Sequence, residues 1–377
     1  MSPVPAPDAA APAPMDRAVS AALEGVRGAN PLVGAVVIGP DGTLLAMGHH
    51  RGAGTAHAEV DALEAFARAR RTDPAVDAVD PRTCTLHVTL EPCDHTGRTD
   101  PCSQAILAAG IGHCVYAVAD ATGPEDGGAA RLRRHGVAVE GPTGHPDAVA
   151  LTSRWRAVQD AGRPWVTARL AQSLDGQAAA ADGTSQWITS AAARAHSHKL
   201  RARVDAILVG TGTVLADDPS LTARTPKSGL AGTQPVPVVL GRRAIPADAA
   251  VHRHPAGPVL HLTEQDPGRV LERIAEHPGP WPHGGTRCAH VMLEGGPTLI
   301  GAWLRAGLVD ELHVYTAPVL LGAGLPAVQD LRIATLADAL RWHPDPAQQG
   351  PVRTLGPDVW THLSPVPAPG WTTGKAG

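Results

Sequence analysis

Two consecutive α/β domains, each a sheet layered with helices, are what the chain predicts. Three observations lead there. A length of 377 residues suits two ordinary domains. Apolar runs of strand length alternate with helical stretches in both halves, the pattern of layered α/β folds. A break around Asp160–Gly162 interrupts the alternation, which restarts near Arg163-Pro164.

The first domain is placed at 15–161. Val33–Ile38 is a continuous apolar strand after Asn30-Pro31, and Leu44–Gly48 is its hairpin partner across an Asp41-Gly42 turn. His57–Arg70 has helical spacing, with Val60, Leu63 and Phe66 on one face. Arg71–Arg82 reads as an irregular insertion. Thr85–Leu90 is a strand that delivers Glu91-Pro92-Cys93 to its carboxyl end. Cys93 is expected to open a helix, with Pro92 in its first turn. Ser103–Ala109 is a helix stopped by Gly110, followed by the strand Cys114–Ala119, the helix Gly127–His135 and a closing strand Val137–Val139. Residues Met1–Pro14, rich in Pro and Ala, read as a disordered tail.

The second domain is placed at 162–363, with Ser364–Gly377 as a flexible tail. Trp165–Leu170, Ala206–Gly210, Val236–Leu240, Pro258–Leu262, His290–Leu293 and Glu311–Thr316 are strands. Ala191–Arg203 is an amphipathic helix. Leu299–Ala306 is a helix that follows the turn Glu294-Gly295-Gly296-Pro297-Thr298.

Composition excludes several classes. A net charge of −4 with mixed signs is not the footprint of a nucleic-acid binder. No apolar run reaches membrane-span length. Five scattered cysteines make a poor disulfide framework and fit a reduced, cytoplasmic setting. Cys84, Cys114 and Cys288 read as small buried residues.

The motif that carries chemistry is His57-Ala58-Glu59, then Glu91-Pro92-Cys93 and Cys102. One imidazole and two thiolates are three zinc ligands, which leaves the fourth tetrahedral position open for water. Glu59, too close to His57 to share its ligand role, is placed to shuttle protons. That is the layout of a zinc hydrolytic deaminase. A structural zinc would want a fourth protein ligand, for which His87 and His95 are the candidates. Glu91 is a second nearby carboxylate, with a loop-capping role as its plainer explanation.

Longer segments carry a family resemblance. Asn30-Pro31-Leu32-Val33-Gly34, Gly48-His49-His50, His57-Ala58-Glu59-Val60 and Thr89-Leu90-Glu91-Pro92-Cys93-Asp94-His95-Thr96-Gly97-Arg98-Thr99 resemble the bifunctional riboflavin-biosynthesis deaminase/reductase family. So do Ala171-Gln172-Ser173-Leu174-Asp175-Gly176, Ser185-Gln186-Trp187-Ile188-Thr189, Thr213-Val214-Leu215-Ala216-Asp217-Asp218-Pro219 and Glu294-Gly295-Gly296-Pro297-Thr298-Leu299. The resemblance implies a cytidine-deaminase-like three-layer α/β/α domain followed by a dihydrofolate-reductase-like α/β domain. It implies zinc and NADPH as cofactors, a pyrimidine ribosyl phosphate as the small-molecule substrate, and a homo-oligomer.

Residue by residue, the resemblance makes His57, Cys93 and Cys102 the zinc ligands and Glu59 the proton donor. Asn30 falls near the pyrimidine. Ala171, Trp187, Thr213, Asp217, Gly295, Gly296, Pro297 and Thr298 fall at cofactor-binding positions. Ser185, Arg201, Leu221, Arg224 and Glu294 fall at substrate-binding positions, and Asp217 matches the acid that assists the reductive step. Guanidinium forks at Arg201 and Arg224 suit a sugar phosphate, with a surface salt bridge as the plainer alternative.

The chain also departs from the family. Arg169 stands where Lys is usual, and Asp120-Ala121-Thr122-Gly123-Pro124 replaces a typical Asp-Pro-Asn-Pro. Asp100 stands where Pro is frequent. Gly241-Arg242-Arg243 replaces a common Asp-Ser, which suggests that Arg242 or Arg243 meets the cofactor's 2′-phosphate. Three alternatives are a paralogue with one active half, a deaminase of nucleic-acid bases, and a non-catalytic scaffold, against which no catalytic position is broken. The second is disfavoured by low net charge and few aromatic residues.

Overall fold

The computed structural model describes residues 12–25, 31–52, 55–94, 100–120, 127–227, 229–279, 281–282, 287–345 and 350–366. The chain divides into two compact units, Met1–Ala157 and Val158–Gly377. The break expected at Asp160–Gly162 lies at the end of a helix, Pro146–Ala161, that runs across this division.

In the first unit the order is α1 (Pro14–Leu23), β1 (Gly34–Ile38), β2 (Leu44–His49), α2 (Ala58–Thr72), α3 (Pro74–Asp77), β3 (Thr85–Leu90), α4 (Cys102–Ala109), β4 (His113–Val118), α5 (Gly128–Arg134), β5 (Ala138–Glu140) and α6 (Pro146–Ala161). The sheet runs β2-β1-β3-β4-β5. Its first three strands pair antiparallel and its last three parallel. Buried Val36, Leu86, Ile106, Cys114 and Leu132 contribute to the core. Cys84 and Cys114 are buried free thiols, as their apolar surroundings suggested.

Four expectations for this unit change. Helix α1 begins at Pro14, inside the stretch read as a tail. It buries Met15, Ala18, Val19, Ala21 and Ala22, a stripe built mostly of alanine and therefore weak as an apolar signal. The stretch read as an irregular insertion holds α3 and a 3₁₀ turn, capped by Asp73 and Asp80. Among the described residues no helix begins at Cys93; Cys102 opens α4, with Pro101 as its N-cap. Helix α6 was not foreseen, because its sixteen residues carry only a weak apolar face.

The second unit runs β6 (Trp165–Gln172), β7 (Gln177–Ala180), α7 (Ala191–Arg201), β8 (Ala206–Gly210), α8 (Thr211–Asp217), β9 (Val236–Leu240), β10 (Leu260–Leu262), α9 (Pro267–Glu276), β11 (His290–Leu293), α10 (Pro297–Arg305), β12 (Glu311–Thr316), β13 (Gly324–Pro326), β14 (Trp342–Pro344), β15 (Val352–Leu355) and β16 (Asp358–Pro365). Its main sheet is ordered β10-β9-β8-β11-β6-β12-β16-β14, with β15 on β16. Strands β10 through β12 of that order are parallel. Strand β16 returns antiparallel beside β12. The largest apolar cluster gathers Val166, Ala168, Leu208, Val238, Leu293, Ile300 and Trp303 with Val270, Leu271 and Ile274 of α9. The expected C-terminal tail starts too early: β16 continues through Ser364, whose buried hydroxyl donates to Asp345 at 2.5 Å.

Parallel strands put their carboxyl ends, and the helix N-termini that follow them, on one edge of a sheet, where open α/β folds place their ligands. That rule locates both sites described next.

Candidate functional site

Helix α2 starts at His57, its N-cap, with extended backbone. This presents the imidazole at the helix mouth and puts Glu59 in the first turn. Strand β3 ends at Leu90 and hands Glu91-Pro92-Cys93 to the same edge. Cys102 enters from the first turn of α4. The three sequence-predicted ligands converge: His57 Nδ1 lies 3.1 Å from Cys102 Sγ and 3.6 Å from Cys93 Sγ, and the Cys102 backbone N–H donates to Cys93 Sγ at 3.4 Å. One nitrogen and two sulfurs, all within 4.8 Å of one another, fit the donor set of an open zinc site.

The electrostatics suit a metal. Hydrogen bonding from Cys102, against an opposing burial effect, holds the Cys93 thiol down to about 4. Cys102 keeps the shared proton and is pushed up by that same bond. A cation replaces such a proton directly, because metal ligation needs thiolates. Glu59 is 3% exposed. Burial raises its carboxyl to about 7, with His57 pulling the other way. A carboxyl poised near neutrality is what a proton shuttle needs.

Glu91 has a different job. Its two oxygens accept the backbone N–H groups of Asp120 and Ala129, each at 3.3 Å. It ties the end of β3 to β4 and to the first turn of α5. Gly128 allows that approach, since a Cβ there would stand 2.0 Å from the Pro92 carbonyl oxygen. Asp94 accepts from Ser103 at 2.5 Å and from Arg131 at 3.1 Å, fixing the backbone beside Cys93.

Sequence reasoning gave His50 no role. Its ring meets His57 edge-on at 5.6 Å, and its Nδ1 lies 3.1 Å from the Ala56 carbonyl. It buttresses the turn that aims His57. The only sequence signal was its place in the Gly48-His49-His50 segment. His87 lies within β3 and is not among the converging ligand atoms. Asn30, His95 and Ala121–Pro124 lie outside the described residues.

In the second unit, Glu294 follows β11, and Gly295 and Gly296 lead into α10 with Gly296 as N-cap. The Thr213 hydroxyl lies 3.8 Å from where a Cβ on Gly296 would stand. Two residues without side chains, a hydroxyl and a helix N-terminus make a cradle that fits a phosphate-bearing cofactor. Pro297 is buried in the first turn of α10, while the Thr298 hydroxyl donates to Gln329 at 3.4 Å. Ala171 lies near the end of β6, in register with Tyr315 of β12. Ser185 donates to Asp217 at 3.3 Å. Trp187 is 68% exposed, with the Arg194 guanidinium 4.5 Å from its ring.

Arg201, expected at a substrate-binding position, is engaged with Glu294, another such position. Its Nε and Nη2 grip both Glu294 oxygens at 2.8 and 2.7 Å, and Nη1 donates to the Thr222 carbonyl at 3.0 Å. Burial works against the Glu294 charge, but Arg201 and then Arg169 outweigh it and hold the carboxyl at about 2. Arg169 Nη1 stands 3.8 Å from the same carboxylate. Leu221 is buried with a left-handed φ of 55°. Among the described residues the Arg224 side chain makes long bonds, 3.3 Å to Thr222 and 3.4 Å to Ser220.

Residues 11–118 match the cytidine and deoxycytidylate deaminase zinc-binding region, and residues 164–353 match the RibD C-terminal domain. The riboflavin biosynthesis protein RibD of Mycobacterium tuberculosis is 42% identical over 356 residues, covering 93% of this chain and 97% of its own. The chain belongs to the RibD family. RibD of Escherichia coli is 36% identical over 364 residues, covering 89% of this chain and 93% of its own. The solved structure of Acinetobacter baumannii RibD superposes with a TM-score of 0.70 at 31% identity, covering 94% and 98% of the two chains. The chain is a bifunctional enzyme with a deaminase and a reductase domain. RibD membership also accounts for the pairing of a zinc site and a phosphate cradle on one polypeptide.

Proposed function

We propose that the first unit hydrolyses the 2-amino group of 2,5-diamino-6-(5-phosphoribosylamino)pyrimidin-4(3H)-one. The second unit then reduces the ribosyl group with NADPH to give 5-amino-6-(5-phosphoribitylamino)uracil. The observation that carries this reading is the convergence of His57, Cys93 and Cys102 beside buried Glu59, on a chain whose other half holds the Gly295-Gly296 cradle.

His57, Cys93 and Cys102 would hold zinc, which when bound acidifies a water molecule. Glu59 takes the proton of the attacking water and delivers it to the departing ammonia. Asn30 and the backbone around Cys93 orient the pyrimidine. Asp94, Glu91 and His50 keep the ligands in place.

In the second unit Ala171, Trp187, Thr213 and Gly295–Thr298 would hold NADPH, which supplies a hydride. Asp217 supplies the accompanying proton to the opening ribose, oriented by Ser185. Glu294, fixed as a carboxylate by Arg201 and Arg169, accepts sugar hydroxyls. Arg224 takes the phosphate, and Leu221 walls the pocket. We place the enzyme in the cytoplasm, as a homo-oligomer, on the strength of its reduced thiols and family. No helix among the described residues is long and apolar enough to cross a membrane.

The decisive experiment is a coupled assay on zinc-loaded protein, following ammonia release and then NADPH oxidation. Ammonia release without any need for NADPH, followed by NADPH oxidation, is the expected result. Ammonia alone would point to Arg169 and a silent reductase half. Neither signal would mean a different substrate.

A further inference from the structure

One face of the second unit's sheet carries titratable groups far beyond what the proposed catalysis uses. Thr167 and Arg169 of β6 lie in register with Glu311 and His313 of β12, and His313 with His362 of β16. Glu311, His313 and His362 offer ligand atoms within 4.8 Å of one another, which first suggests a metal. The hydrogen bonds decide otherwise. Trp360 Nε1 donates to His313 Nδ1 at 3.1 Å. An indole N–H only donates, so His313 Nδ1 bears no proton and the proton sits on Nε2. That nitrogen faces Glu311 Oε1 at 3.6 Å. A metal would need the lone pair this proton occupies.

His196 of α7 is constrained in the same way on its own side of Trp360. Arg353 Nη2 lies 3.4 Å from His196 Nε2. A guanidinium only donates, so the proton of His196 is on Nδ1, and it is given to the Tyr315 oxygen at 2.8 Å. The Trp360 ring lies 4.9 Å from His196 and 5.5 Å from His313, with the Arg353 guanidinium 4.5 Å above it.

We propose that Trp360, His196 and His313 form an acid-sensitive latch, in which His196 ties α7 to β12 and β15 and His313 adds a side-chain bond between β12 and β16. A second proton on His313 must expel the Trp360 N–H from its bare nitrogen. A second proton on His196 must expel Arg353. Either event removes a bond between elements. Helix α7 carries Arg201, so the latch supports the fork on Glu294.

The surroundings set the sign. His313 faces Glu311 on its own strand, His362 stacked at 4.3 Å on β16, Arg169 in register on β6, and His290 of β11 through Thr167. Asp345 lies beyond His362 at 3.7 Å. His196 faces Tyr315, Arg353 and His313, with Lys199 and Arg203 on its own segment. Burial opposes the charge on Glu311, but His362 and His313 hold it well below the usual range, so it stays ionised. Burial, followed by His362, lowers His313 to about 4 despite Glu311. Burial, followed by His313 and Arg353, lowers His196 to about 3. Both groups are neutral when folded and protonate near 6.5 when unfolded. Their stabilisation is therefore complete above about pH 6.5 and is lost as pH falls toward 4 and 3.

Two measurements on the full, zinc-loaded chain test this. Imidazole nitrogen shifts at pH 6 should show His313 neutral with Nε2–H and His196 neutral with Nδ1–H. An imidazolium or the opposite tautomer at either position overturns the proposal. Amide exchange in residues 191–201 and 352–364 should lose protection on going from pH 6.5 to 4.5, by at least about tenfold per imidazole. His196→Gln with His313→Gln keeps a donor and an acceptor at each site but cannot charge, so that loss should disappear. An unchanged pH dependence, or a second zinc per chain, overturns the proposal. If the double variant does not fold, the wild-type tautomers decide. Neither readout uses substrate, so both are independent of the catalytic reading.

Discussion

Two carboxylates lie beside the metal ligands, and their environments assign their roles. Glu91 is spent on two backbone N–H groups, whereas Glu59 is buried with its carboxyl raised to about 7. Glu59→Gln should therefore cut ammonia release by about 10²- to 10⁴-fold. Zinc content should stay at the wild-type level by metal analysis; a loss of zinc would make Glu59 a ligand instead. In the reductase half, Arg243 Nη2 lies 3.0 Å from where a Cβ on Gly212 would stand, which puts its charge against the Thr211–Thr213 turn. A charge-assisted bond from Arg242 or Arg243 to the 2′-phosphate contributes roughly 1.5–3 kcal/mol. Replacing both by Ala should raise the KM for NADPH by about 10- to 100-fold and leave that for NADH nearly unchanged. Equal losses for the two cofactors would refute the contact. The His57–Cys93–Cys102 cluster was legible because a metal site demands particular donor atoms at a particular spacing. The fork of Arg201 on Glu294 was not, because the partners lie ninety-three positions apart, on α7 and after β11, and only the tertiary fold brings them together.

Elements with a strong apolar run were legible, and those with a weak one were not. Strands β1, β8, β9 and β11 are largely apolar runs, β3 and β12 alternate apolar with polar residues, and the sequence pattern places all six within a residue of where they fold. Helix α1 buries mostly alanines, so its apolar face gives the sequence pattern little to assign at 15–23. The late strands β14, β15 and β16 mix His, Thr, Arg and Ser with their apolar residues, because that face of the sheet buries a hydrogen-bonded network. A period-two reading has little to hold there. The alanines of α1 have a physical purpose, since small residues let the helix approach β1 closely. A Cβ on Gly34 would stand 2.0 Å from the Ala18 carbonyl oxygen and 2.5 Å from the Ala22 nitrogen. Both are backbone atoms and cannot rotate away. Gly34→Ala should destabilise the first unit by about 1–3 kcal/mol or more, read as a lower denaturant midpoint. Gly232→Ala, with open space around it, is the control and should shift nothing.

At the scale of the molecule, among the described residues the two units share no strand, and each has its own sheet and its own buried residues. The division was legible from the interrupted alternation, though α6 blurs it by running across the boundary. His57, Cys93 and Cys102, from α2, the end of β3 and α4, would hold zinc, so its binding should add folding free energy to the first unit alone. Chelation should then do two things at once. It should abolish ammonia release and lower the unfolding midpoint of the first unit. It should leave intact the NADPH oxidation driven by the deaminated intermediate, 5-amino-6-(5-phosphoribosylamino)uracil, because Asp217, Glu294 and the Gly295-Gly296 cradle owe nothing to the metal. Asp217→Asn makes the reciprocal case: NADPH oxidation should fall about 10²-fold or more while ammonia release persists. Parallel loss of both activities on chelation would mean that the reductase half depends on the zinc-bearing unit for its working conformation. The two cores would then have to be treated as one cooperative structure.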